Sequence, residues 1–208
     1  NSVAAINSGQ DGLWDFSLQN HSAVGGKRYC FKVVKSSGSD LDSYSFYPEV
    51  IVDEELIFSL DSTSKSFGVV TPGANPTDVS STLTTTTNSS TGYVIYAWAT
   101  QVMTMGSFTL PDWTGTNAPP TPFGNGIFGF GYTTDDASLT GGTADRFTNG
   151  GAKYAGFSHS GPGDPAADRA SGPVNNATDT VTYRLAASTT QAAGTYSTVI
   201  VYVCSVTF

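Results

Sequence analysis

The stretch from Thr195 to Phe208, TYSTVIVYVCSVTF, constrains this chain more than any other. Valine, isoleucine, threonine and tyrosine dominate it, and these residue types favour strands. One face carries Tyr196, Thr198, Ile200, Tyr202, Cys204, Val206 and Phe208. The other carries Ser197, Val199, Val201, Val203, Ser205 and Thr207. Both faces are apolar through the middle, so the strand is expected to be covered on both sides or to lie deep in a sheet. No segment shows an apolar stripe at helical spacing long enough for a helix. Charged residues are only 12%, with 23 glycines and 10 prolines, a mixture rich in turn and strand formers.

The net charge of -8 argues against a nucleic-acid partner, because phosphate binding needs clustered Lys and Arg. Only Lys27-Arg28 puts two basic residues together. No apolar run is long enough to span a membrane as a helix. The sequence begins at Asn1 with no methionine, which fits a processed or excised piece of a secreted, cell-surface protein. Two cysteines, Cys30 and Cys204, lie in strand-like segments. Neither His21 nor His159 has the spacing to complete a zinc site with them, and no other cofactor motif is present. In a secreted protein the pair is expected to form a disulfide, within one chain or between copies. The alternative is two buried thiols.

Residues 1–11 read as a polar lead-in. GLWDFSL (12–18), KRYCFKVV (27–34) and DSYSFYPEVIV (43–53) follow as strands. They contain too little chain to bury a core of their own. Residues 1–53 therefore form an arm that must complete the sheet of this chain or of another. From residue 54 a larger unit begins, with strands at 56–62, 66–70, 79–87, 92–103, 179–188 and the terminus. The Thr/Ser-rich VSSTLTTTT (79–87) suits an exposed strand, and GYVIYAWATQVM (92–103) a central one. Residues 104–178 are rich in Gly, Pro, Asn and Asp, with short apolar islands at 107–110, 127–132, 146–149 and 153–158. They read as a long excursion, the kind of loop that carries function or an interface. Strands at this spacing with Gly/Pro turns predict an all-β fold, an antiparallel sandwich of Ig-like or jelly-roll-like type.

KSFGVVTPGANPTDVSSTLTTTTNSSTGYVIYAWA and TVTYRLAASTTQAAGTYSTVIVYVCSVTF resemble paired motifs of secreted WxL-like β-sandwich surface proteins. The resemblance covers residues 56–208 and implies an extracellular sandwich. The three tryptophans stand in WDF, WAT and WTG, so the W-x-L tripeptide and the peptidoglycan-binding role attached to it do not carry over. RYCFKVVKSSGSDLDSYSFYPEV is similar to the closing strands of fibronectin-III-like domains in such proteins.

Catalytic signals are weak. GFSHSG (156–161) falls short of a G-x-S-x-G nucleophile elbow because Ser160 replaces the final glycine. Asp135, Asp136, Asp164 and Asp168 could bind calcium in principle, but without loop spacing they read as solvated. Glu49, Glu54 and Glu55 cluster at the junction of the two units, which suits linker acidity better than glycoside cleavage. Asn20, Asn88 and Asn176 match glycosylation sequons at the frequency expected in so Ser/Thr-rich a chain. Trp98, Trp113, Tyr132 and Phe147 could line a carbohydrate platform, but core or interface roles fit them better, with Trp113 expected at the surface.

These readings point to a non-enzymatic structural subunit of an extracellular filament or pilus, a homopolymer assembled head-to-tail by strand addition. Trp14, Phe16, Tyr29, Phe31 and Trp113 are its candidate interface residues. The rival is a monomeric adhesive module that binds glycan or cell wall through residues 104–178.

Overall fold

The computed structural model describes residues 23–30 and 49–206. Among them every regular element is a strand, and the main body is a sandwich of two antiparallel sheets. The arm contributes β1 (Arg28–Cys30) and β2 (Glu49–Ile51), which pair with each other as a separate ribbon. The body begins with β3 (Leu56–Leu60), β4 (Thr77–Thr87) and β5 (Tyr93–Ala99). The excursion supplies β6 (Met103–Met105), β7 (Phe108–Leu110), β8 (Thr121–Pro122), β9 (Gly129–Thr134), β10 (Lys153–Tyr154) and β11 (Asp164–Arg169). The chain then returns through β12 (Val174–Ala186) to β13 (Ile200–Ser205).

One sheet has four strands in the order β3-β4-β12-β9, and the other has three in the order β11-β5-β13. The excursion is thus no appended loop. Its strands β9 and β11 each complete a main sheet. The expected strand at 66–70 is instead irregular, and the apolar island at 146–149 lies in a turn. Phe67 still meets Phe130 edge to face, with ring centroids 6.1 Å apart.

GYVIYAWA is central, as its two apolar faces predict: β5 lies between β11 and β13. Two other expectations are overturned. The Thr-rich β4 is interior, paired on both sides and with Ser81, Leu83, Thr85 and Thr87 buried. Hydroxyls suit this position where they find acceptors, as Thr87 Oγ1 does by donating to the Glu55 carbonyl at 2.7 Å. The terminal β13 is an edge strand, and among the described residues it pairs with β5 alone.

The core lies between the sheets. Tyr132, Phe157, Phe130 and Tyr183 stack through it, with Tyr132 and Phe157 centroids 4.5 Å apart. Aromatic pairs at such separations contribute roughly 0.5–1.5 kcal/mol beyond their buried area. A smaller cluster joins Trp113, Phe123, Tyr154 and Ala186.

Asn88, in the turn between β4 and β5, fixes the arm to this body. Its backbone carbonyl accepts from Gly25 N, its Oδ1 accepts from Glu55 N, and its Nδ2 donates to the Asp53 carbonyl. Gly25 lies so close to this side chain that a Cβ there would collide with Asn88 Oδ1. Asn88 is therefore a buried clamp rather than an open sequon. The first described residues of the arm, Ala23 to Gly25, therefore stand at this turn end of the sandwich.

Candidate assembly interface

The two sheets are unequal, and the inequality leaves one flank incompletely covered. The inward positions of β4, β12 and β9 are buried: Leu83, Val181 and Tyr132 have no exposure at all. On β3 the inward residues are Leu56, Phe58 and Leu60, opposite Thr87, Thr85 and Leu83 in register. None of the three is fully buried, and Leu56 is 38% exposed. On β13 the inward residues Ile200, Tyr202 and Cys204 are likewise only half-buried, although their partners Ala99, Ala97 and Ile95 on β5 are buried.

These two half-covered strands flank the same gap. Tyr202 reaches across the sandwich to Tyr183 on β12, with hydroxyls 2.7 Å apart. Asp61, just past β3, lies close enough to raise the Tyr202 phenol further, on top of the larger effect of burial. Thr85 lies against the Cys204 thiol. So β13 sits beneath β12 and β4, and among the described residues β3 overhangs it with no strand of the opposite sheet below. Such an edge offers unpaired backbone groups beside uncovered apolar side chains, the combination that accepts an added strand. The outward face adds Val199 and Val203, at 61% and 42% exposure.

The predicted interface residues fall differently. Trp14, Phe16 and Phe31 lie outside the described residues. Tyr29 is half-buried, and its hydroxyl accepts from Val24 N at 2.9 Å, so it braces the arm's own turn. Trp113 is not at the surface. It is 7% exposed, stacked on Phe123 at 4.1 Å, and its indole N–H donates to Thr121 Oγ1 at 2.9 Å. Trp113→Phe is expected to cost about 1–2 kcal/mol in urea denaturation, whereas an exposed site would lose under about 0.5. Tyr132 and Phe147 are also buried, in the core role that fitted them better than a carbohydrate platform. Trp98 alone of the four stays half-exposed, on the outer face of β5.

Within the chain the expected disulfide does not form: Cys30 and Cys204 are both free thiols there. Cys30 is exposed at the end of the ribbon, while Cys204 faces the interior of the sandwich. Burial pushes the Cys204 thiol up to about 11, which keeps it in the unreactive neutral form.

No nucleophile relay forms at 156–161. Ser158 Oγ donates to the Ser160 carbonyl, and both ring nitrogens of His159 face acceptors, Asp112 Oδ2 and the Ala99 carbonyl. Of the acidic residues expected in solvated loops, Asp136 and Asp168 are instead buried and Asp164 is half-buried, while Asp135 is exposed as expected. Asp136 Oδ2 accepts from Asp168 N at 2.6 Å, and Asp168 Oδ2 accepts from Thr140 N at 3.1 Å. Asp179 accepts from Tyr93 Oη at 2.7 Å and pairs with Arg169 at 2.6 Å. Arg146 spans this region, donating to Asn117 Oδ1 and to the carbonyls of Asn117, Leu139 and Thr140. Among the described residues no three His, Cys, Asp or Glu side chains form a metal-holding group. The network therefore joins strands and loops of the sandwich.

The inward phase of Asp179 was readable, since it shares parity with Val181, Tyr183 and Leu185. Nothing in the sequence pairs Asp136 with Asp168. Compared with known proteins, the chain matches no family model, no curated protein and no solved structure.

Proposed function

We propose that this chain is a structural subunit of an extracellular filament or surface polymer, assembled by β-strand addition between copies. One observation carries the reading: among the described residues four strands face three, so the inward side chains of β3 overhang an edge of β13 that no described strand pairs with. A single added strand would pair with β13 and cover Leu56, Phe58 and Leu60. An apolar arm too short to fold alone supplies the complementary half. The low charge and Ser/Thr-rich composition suit an extracellular surface.

Filaments that lengthen with protein concentration are expected in negative-stain micrographs of the purified chain. Leu56→Lys is the matching variant. Its ammonium can reach water from a position already 38% exposed, so folding is expected to change by less than about 1 kcal/mol. An incoming apolar strand would meet a charge there, and filaments should be lost. A chain that stays monomeric at every concentration, or a Leu56→Lys variant that polymerises normally, overturns the reading.

A further inference from the structure

We infer that the strand completing the sandwich is Gly12–Leu18 of a second copy, lying antiparallel to β13 beneath β3; this rests on the strand-addition reading above. The segment GLWDFSL alternates, with Trp14, Phe16 and Leu18 on one face and Leu13, Asp15 and Ser17 on the other. Three large apolar side chains on one face match the three inward residues of β3 that are only partly covered, Leu56, Phe58 and Leu60. Asp15 and Ser17 then face water. Length agrees as well: seven residues extend roughly 23 Å, and the six of β13 roughly 20 Å.

Direction distinguishes a second copy from the same chain. The strand β13 runs from Ile200, opposite Ala99, to Ser205, opposite Val94, so it ends at the β4–β5 turn. Ala23 lies at this same end, because Gly25 N donates to the Asn88 carbonyl. Residues 19–22 let Leu18 stand at most roughly 17 Å from Ala23. Within one chain, Gly12–Leu18 would therefore approach this end with its C-terminus and run parallel to β13. Every ladder between named strands here is antiparallel. Parallel neighbours are also slightly less stable per residue and call for a crossover connection.

Antiparallel addition places Leu18 at the Ile200 end of the acceptor instead. The donor's own turn end then sits against the opposite end of the acceptor. Each copy has one such seam and one such segment at opposite ends, so the contact is head-to-tail and repeats without closing, which generates a fibre. Registered this way, Leu18 lies beside Leu60, Phe16 beside Phe58 and Trp14 beside Leu56.

The test places the photo-crosslinker p-benzoylphenylalanine at position 18 of the full chain and irradiates a mixture of isotope-labelled and unlabelled copies. Expected are adducts joining one copy to the other at Leu60 or Ile200, in a ladder of multiples of the monomer mass. Adducts within one copy at Leu56 or Val206 would show parallel self-insertion and overturn the proposal. Adducts elsewhere, or none, from protein that still forms filaments would also overturn it while leaving strand addition standing. In a parallel measurement on unmodified protein, the synthetic peptide GLWDFSL should shorten filaments at least several-fold and a scrambled peptide should not. Equal effects of the two would remove Gly12–Leu18 as the donor.

Discussion

Arg169→Met is expected to lower the unfolding free energy by about 3 kcal/mol at pH 7, measured by urea denaturation. The guanidinium contacts Asp179 at 2.6 Å and lies 3.8 Å from Asp136, two carboxylates that are almost wholly buried. It also donates to the Thr178 carbonyl, so together with the Asp179 contact it ties β11 to β12 through the sandwich. Methionine keeps the hydrophobic stem but removes the charge. Asp179 would retain only the Tyr93 hydroxyl as a side-chain donor. Breaking a buried pair by removing one partner costs roughly 3–5 kcal/mol. Because the Arg169 side chain is 35% exposed, water can approach the vacated space, and the lower end of that range applies. The deficit should shrink as pH falls. Burial already raises the Asp179 carboxyl above its ordinary value, against the lowering effects of Tyr93 and Arg169. Without Arg169 it should rise further, and a protonated Asp179 no longer needs a counter-charge. A loss below about 1 kcal/mol at pH 7 would show that the guanidinium does not compensate this site.

The fold class was legible because strand alternation and Gly/Pro turns are local properties of the chain. Coverage was not. VSSTLTTTT looks like a solvent strand by composition, yet β4 has neighbours on both sides, and hydroxyls such as Thr87 Oγ1 are satisfied by backbone. TYSTVIVYVCSVTF looks like a central strand because both of its faces are apolar. It stands at an edge, with Val199 and Val203 exposed and Tyr202 and Cys204 half-covered. Hydrophobicity records that a strand is to be covered but not by whose residues. That is the physical sense in which the misplaced terminal strand and the proposed interface are one observation. Trp113 failed for a related reason. Pro111 and Gly115 around it suggest an exposed loop, but the loop folds back so that the indole stacks on Phe123. Within the carboxylate network Asp168 meets Thr140 and Asp136 across 28 and 32 positions of sequence, contacts that no local pattern encodes.

Asp168→Asn is expected to stabilise the protein by up to about 3 kcal/mol at pH 7–8 and to leave it nearly unchanged near pH 4. The Asp168 carboxyl is pushed up to about 6 from 3.8, first by burial and then by the neighbouring Asp136, with the Thr140 N–H and Arg169 acting in the other direction. Arg146 also faces this group, and it too bears on Asp136 and Asp168. One Asp168 oxygen, Oδ1, is buried with no hydrogen-bond partner. A folded-state value above the unfolded one means that the native state holds the proton longer. Stability conferred by the neutral acid is therefore present below about pH 4 and is lost as pH rises through 6. About two units correspond to roughly 3 kcal/mol. Asparagine cannot ionise. Its oxygen can still accept from Thr140 N, and its amide can donate toward Asp136, replacing a repulsion with a hydrogen bond. Urea denaturation of both proteins from pH 4 to 8 should give curves that meet at the acid end and diverge above pH 6, with the variant on top. Curves that stay parallel across that range would mean that Asp168 ionises in the folded protein as readily as in water.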